Sequence, residues 1–187
     1  METLTEVCSN YYVIFFCEGR NEEDALRWIC DSNRLSLDHE FCNFEYLRKL
    51  RTKSKRKDIL TRILSNDYGR EPALVYLLDS LKEKITLPSA FSQTPIYYVY
   101  TVPEFEILFI IHMNQLRDYN RLNPRPKASE FVKSIIGRDI KSEGSVQRIF
   151  NNNIDNLLKA SRILKVSYQQ KKGLKDQYGF YDLCNVD

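Results

Sequence analysis

The stretch YYVIFFCEGRNEEDAL, residues 11–26, carries the reading of the fold. Residues 11–17 are apolar without interruption, as in a strand covered on both faces. Glu18, Gly19, Arg20, Asn21, Glu22, Glu23 and Asp24 then crowd charge against its end. Ala25, Leu26, Trp28 and Ile29 fall on one helical stripe, so a helix is expected over residues 21–31 with Asn21 as its N-cap. A strand followed at once by a helix is half of a βαβ unit. A carboxylate placed where a buried strand runs out has two readings. It is the position at which α/β sheets bind ligands and metals, or it is the polar terminus of a strand returning to solvent.

Working outward, residues 41–47 (FCNFEYL) read as a short second strand, and residues 57–66, with Ile59, Leu60, Ile63 and Leu64 at helical spacing, as a helix closed by Asp67-Tyr68-Gly69. Residues 72–79 (PALVYLLD) repeat the first pattern, a continuous apolar run ending in a carboxylate, Asp79. A loop or short helix over 82–94 leads to a β-branched and aromatic strand at 95–102. Pro103 suits a first helical position, and residues 104–113 continue as a helix that is apolar almost all round. Residues 115–125 read as a polar loop, 128–136 and 145–166 as helices, and 171–187 as a loosely held tail. Strands separated by helices, then helices alone, argue an α/β fold: a parallel sheet of about four strands flanked by helices, with extra C-terminal helices.

Composition agrees with one domain over residues 1–187. With 43% apolar and 28% charged residues among 187, the chain is ordinary for a globular protein. Its apolar runs are far shorter than the roughly 20 residues that span a bilayer. The first ten residues lack a basic secretory start, so a cytoplasmic location and no membrane partner are expected. Five cysteines without a CxxC pair, and two histidines away from them, argue reduced thiols rather than zinc. The net charge of +3 is mild, but residues 48–57 (RKLRTKSKRK) hold seven basic side chains: Arg48, Lys49, Arg51, Lys53, Lys55, Arg56 and Lys57. Such a block contacts nucleic-acid phosphates, or it is a solvated loop.

Two parallel strands ending in Glu18 and Asp79 bring both acids to one sheet edge. Held together they repel unless a cation lies between them, and Mg²⁺ or Mn²⁺ bound through one or two carboxylates, water and phosphate oxygens is the hard-ion solution. That chemistry belongs to phosphoryl transfer or phosphodiester cleavage.

The segment Cys17-Glu18-Gly19-Arg20-Asn21-Glu22, the later strand ending in Asp79, and Pro103-Glu104-Phe105-Glu106-Ile107-Leu108-Phe109-Ile110-Ile111-His112 together resemble the RloB-like branch of the Toprim superfamily. The Phe105-Glu106 pair and His112 keep the spacing of that branch's helix motif. The likeness covers residues 11–115 as a Toprim core, with 116–187 similar in style to the helical C-terminal region. The resemblance implies a Toprim fold with Glu18 catalytic, Asp79 and Glu106 as metal or catalytic residues and His112 as a helper. It also implies a metal-dependent nuclease acting on RNA, tRNA included, or DNA, in anti-phage defence beside an ABC-type ATPase that controls it; a homodimer is compatible with it. The alternative is a degenerate Toprim module that binds nucleic acid or the ATPase without cleaving. Where many Toprim proteins carry Asp-x-Asp, this chain reads Asp79-Ser80-Leu81, and Glu83 compensates only if the chain turns helical there. Asn21 stands where the family often has Thr, and Glu22 where its motif has an acid.

Overall fold

The protein is described from a computed structural model covering residues 4–32, 34, 39–46, 53–79, 84–101, 104–137, 140–169 and 178–183. Its elements are α1 (Leu4–Asn10), β1 (Tyr12–Cys17), α2 (Arg20–Asp31), β2 (Cys42–Tyr46), α3 (Lys53–Leu64), β3 (Pro72–Leu78), β4 (Ile96–Tyr100), α4 (Ile107–His112), α5 (Leu116–Arg121), α6 (Ala128–Ile136), α7 (Ser145–Ile149), α8 (Ile154–Gln169) and β5 (Tyr178–Gly179). The strands form one all-parallel sheet in the order β2-β1-β3-β4-β5. The fold is α/β, with five strands rather than about four.

The uninterrupted apolar runs follow from burial on both sides. Val13, Phe15 and Cys17 of β1 and Ala73, Val75 and Leu77 of β3 point to one face, into a core shared with α1, α2, α4, α6, α7 and α8. Ile14 and Phe16, with Leu74, Tyr76 and Leu78, point to the other, where α3 supplies Leu60, Ile63 and Leu64 and the following connection supplies Ile85. Each fully buried Leu or Phe contributes roughly 1.5–3 kcal/mol relative to exposure, and both faces share in it. No helix of the described residues is long and apolar enough to cross a membrane.

Several elements depart from expectation. Asn21 is not the N-cap of α2; Gly19 is, with extended backbone and no side-chain cap. Helix α3 begins at Lys53, so the end of the basic block is helical, not loop. Helix α4 starts only at Ile107, because Glu104–Glu106 enter it through tight bonds in which the Ile107, Leu108 and Phe109 amides donate to the carbonyls three residues back. Residues 115–125, read as loop, contain helix α5. The helix expected over 145–166 is two, because Asn151 and Asn152 take the left-handed backbone (φ 57° and 53°) that asparagine tolerates better than most residues. The Asn153 side chain then caps α8 by accepting the Asp155 amide at 2.9 Å.

The expected tail also departs from that reading. Residues 171–177 and 184–187 lie outside the described residues, but Tyr178 and Gly179 pair with β4, and a 3₁₀ turn over Phe180–Leu183 buries Phe180 and Leu183 in the larger core. The α1 helix had no counterpart in the sequence reading; Leu4, Val7 and Cys8 bury against that same core.

Candidate functional site

From β1 the chain moves outward to β2 through α2, then returns across β1 to β3 through α3 on the opposite face. Strand order thus reverses between β1 and β3, and the carboxyl ends of that pair open a crevice of the kind in which α/β sheets bind ligands. Glu18 follows β1 and Asp79 follows β3. One oxygen of the Glu18 carboxylate accepts the Asp79 backbone amide at 2.9 Å, which locks the two strand ends together.

A cleft of about 280 Å³ lies over this junction. Its acidic lining is Glu18, Glu22, Asp79, Glu104 and Glu106, and its cations are Arg20, Lys127 and Lys141. Glu22 enters because α2 starts directly behind Gly19, and its side chain reaches back so closely that a Cβ on Gly19 would stand 3.0 Å from Glu22 Oε2. Gly19 has an extended backbone open to any residue, so the approach of this carboxylate, not a turn, favours glycine there.

Glu106 arrives from the start of α4. Its Oε1 accepts the Asn21 side-chain amide at 3.1 Å, both residues being buried. Glu104, on the preceding turn, accepts the Ser129 amide at 3.1 Å and so caps α6, whose own N-cap Lys127 offers no side-chain acceptor.

The electrostatics follow from this crowding. Burial pushes the Glu22 carboxyl up to about 7; the charges of Glu106 and Asp79 add to the rise, while its own backbone bond and Lys141 oppose it. Burial likewise raises Glu106, against its own backbone bond and Lys141, and with Glu104 adding to the rise. Carboxyls displaced upward by burial and by one another in a cleft make it a candidate functional site. Their oxygen donors are of the type Mg²⁺ or Mn²⁺ takes. Among the described residues no group of three or more His, Cys, Asp or Glu side chains is arranged to hold a metal ion; Glu18 and Asp79 both line the cleft, joined through the Asp79 backbone amide rather than through their carboxylates. One or two carboxylates completed by water and phosphate oxygens suffice for Mg²⁺, and Glu18 and Asp79 are of that donor type.

The other sequence candidates are placed as follows. Glu83, Arg48, Lys49 and Arg51 lie outside the described residues. Lys53 opens α3, and Lys55, Arg56 and Lys57 follow in its first turns. Because α3 leaves the carboxyl end of β2, these residues belong to the same sheet edge as Glu18 and Asp79, although they do not line the cleft. The charge of Arg56 reaches the buried hydroxyl of Tyr76, near the end of β3. His112 lies at the far end of α4, about 9 Å of helix rise from Glu106. Its ring packs 5.0 Å from that of Phe150 and bonds the Ile149 backbone, burial lowers its pKa, and it is not part of the cleft.

Sequence reading overlooked Lys127, Lys141 and the acid of Glu104. Lys141 precedes α7, 35 positions beyond Glu106, and no spacing rule connects the two. The described cysteines Cys8, Cys17, Cys30 and Cys42 are thiols outside any disulfide. No protein-family model matches the chain, and no curated protein and no solved structure was found to match it.

Proposed function

We propose that the chain is a divalent-cation-dependent phosphodiesterase acting on RNA, tRNA among its substrates, or on DNA: a Toprim-type nuclease of the RloB-like kind, serving anti-phage defence under the control of an ABC-type ATPase. The observation that carries the reading is the junction of Glu18 and Asp79 at the reversal of strand order, with Glu22 and Glu106 pressed in behind them. Glu18 and Asp79 would hold the ion. A bound Mg²⁺ or Mn²⁺ supplies charge that stabilises a developing phosphoryl oxyanion and makes a nucleophile of water. Around it, the backbone amide of Asp79 fixes one Glu18 oxygen and Asn21 fixes Glu106, so the carboxylates are oriented before substrate arrives.

A second reading, a module that binds nucleic acid or its ATPase without cleaving, is favoured by Leu81 in place of a second Asp and by the absence of a three-carboxylate group among the described residues. One experiment separates them. Wild type and Glu18→Gln are incubated with total tRNA and with single- and double-stranded DNA in Mg²⁺, Mn²⁺ or EDTA. The nuclease reading expects cleavage that EDTA abolishes and that Glu18→Gln lowers by roughly 10²-fold or more. Binding without cleavage under every cation selects the second reading.

A further inference from the structure

Behind the cleft a small polar network is buried inside the larger core. Asn21, 3% exposed, donates to Glu106; Ser145, fully buried, donates its hydroxyl proton to the Ile140 carbonyl at 2.8 Å and lies 3.5 Å from Asn21 Oδ1. A hydroxyl has one proton to give, so the short bond to Ile140 is the strong one. Ile140 is itself buried, packed in the core with Val146. The turn Ile140–Ser145 is therefore pinned at both ends, and Lys141 is the residue it presents to the cleft. Holding the turn this way keeps the Lys141 backbone at the cleft before any ligand arrives, which leaves less conformational entropy to lose on binding.

The surroundings give it something to do. Lys141 acts on Glu22 and on Glu106 together, and Lys127 lines the same cleft at the start of α6. A strand of nucleic acid approaching five carboxylates meets repulsion at each phosphate unless cations line the way in. The five acids, and Arg20 with them, come from residues 18–106, whereas both lysines come from the segments after α5.

We propose that Lys141, with Lys127 beside it, is the phosphate-contacting wall of the cleft, seated by the Asn21–Ser145–Ile140 network. The ligand group is a backbone phosphate diester of a single nucleic-acid strand. The inference rests on the nucleic-acid reading above and names the residues that would carry it inside the cleft, distinct from the basic turns of α3 at the same edge.

The test is binding without turnover. Labelled single-stranded RNA and DNA oligonucleotides are titrated with the full chain in EDTA, by fluorescence anisotropy over a salt series, for wild type, Lys141→Ala, Lys141→Arg and, as a surface control on α6, Lys133→Ala. Removing one phosphate contact weakens binding by roughly five- to tenfold at low salt and lowers the salt slope by about 1. Lys141→Arg retains most of the affinity, and Lys133→Ala matches wild type. Circular dichroism checks that each variant is folded. If wild type binds and Lys141→Ala binds equally with an unchanged slope, Lys141 is only the counter-ion of Glu22 and Glu106 and the inference is overturned while the nucleic-acid reading stands. Should wild type neither bind a strand in EDTA nor bind or cleave one in Mg²⁺, that reading fails and takes this assignment with it.

Discussion

The two faces of the sheet are unequal. One carries α1, α2, α4, α6, α7 and α8 and the 3₁₀ turn of Phe180–Leu183, whereas among the described residues the other is covered by α3 and the connection holding Ile85, Leu87 and Phe91. The thick face delivers Glu22 and Glu106 to the cleft, both buried and both displaced upward in pKa. The thin face delivers positive charge on the first turns of α3, where Lys55 and Lys57 are exposed. Buried charge needs a rigid surround, because misplaced carboxyls are neither solvated nor paired. Exposed lysines need only a helix to stand on. The lesson is that the acidic half of this sheet edge is built into the core and the basic half is laid over it.

The largest effect that would break this comparison concerns the C-terminal turn. Phe180 packs edge-on to Phe105 at 5.5 Å, and Phe105 stands between the cleft acids Glu104 and Glu106. Phe180→Ala is expected to cost about 3–5 kcal/mol in urea unfolding. Leu60→Ala, on the thin face, should fall at the low end of its class, about 2–3 kcal/mol, because α3 alone can settle into the gap. Equal losses, or a Phe180 loss near zero, would show that the thick face is not the firmer foundation.

Next in size is Glu22→Gln. The folded carboxyl titrates near 7 against a reference of 4.5, so the native state binds more protons between those values and stability falls as pH rises through that window. Above pH 7 the ionised group costs on the order of 3 kcal/mol. Glu22→Gln should therefore stabilise the protein by up to that amount at alkaline pH, with no gain below about pH 4.5. Thermal melting across the pH range measures it, and a gain independent of pH would contradict the burial assigned to this carboxyl.

The smallest stability effect is expected where the thin face meets solvent. Replacing Lys55, Arg56 and Lys57 together by Ala should move unfolding by no more than about 0.5 kcal/mol per site. The same variant should lower the salt slope of nucleic-acid binding by about 2–3 if those side chains meet phosphates. Loss of stability without loss of binding would assign the block to folding instead.

Much of this architecture is legible in the chain because it obeys local rules. Continuous apolar runs at β1 and β3 announce strands covered twice, and the acids Glu18 and Asp79 at their ends follow from strand direction. Other features were hidden because their causes are not local. Helix α5 is short and mostly polar, with only Tyr119 buried, so no apolar stripe announces it. The break at Asn151 and Asn152 was marked only by a run of three asparagines. Asn21 looks like a helix cap from its neighbours, yet its amide is spent on Glu106, 85 residues away.

Taken alone, then, the sequence determined a parallel α/β sheet and which two acidic residues follow its strands at one edge, since alternation and strand polarity act over a few residues. Only the tertiary structure decided that Glu22 and Glu106 are buried together, that Lys127 and Lys141 share their cleft, that His112 lies apart from it, and that the C-terminal turn closes the core. Those relations depend on how helices distant in sequence pack on one face, and packing is settled by volume and desolvation rather than by any spacing along the chain.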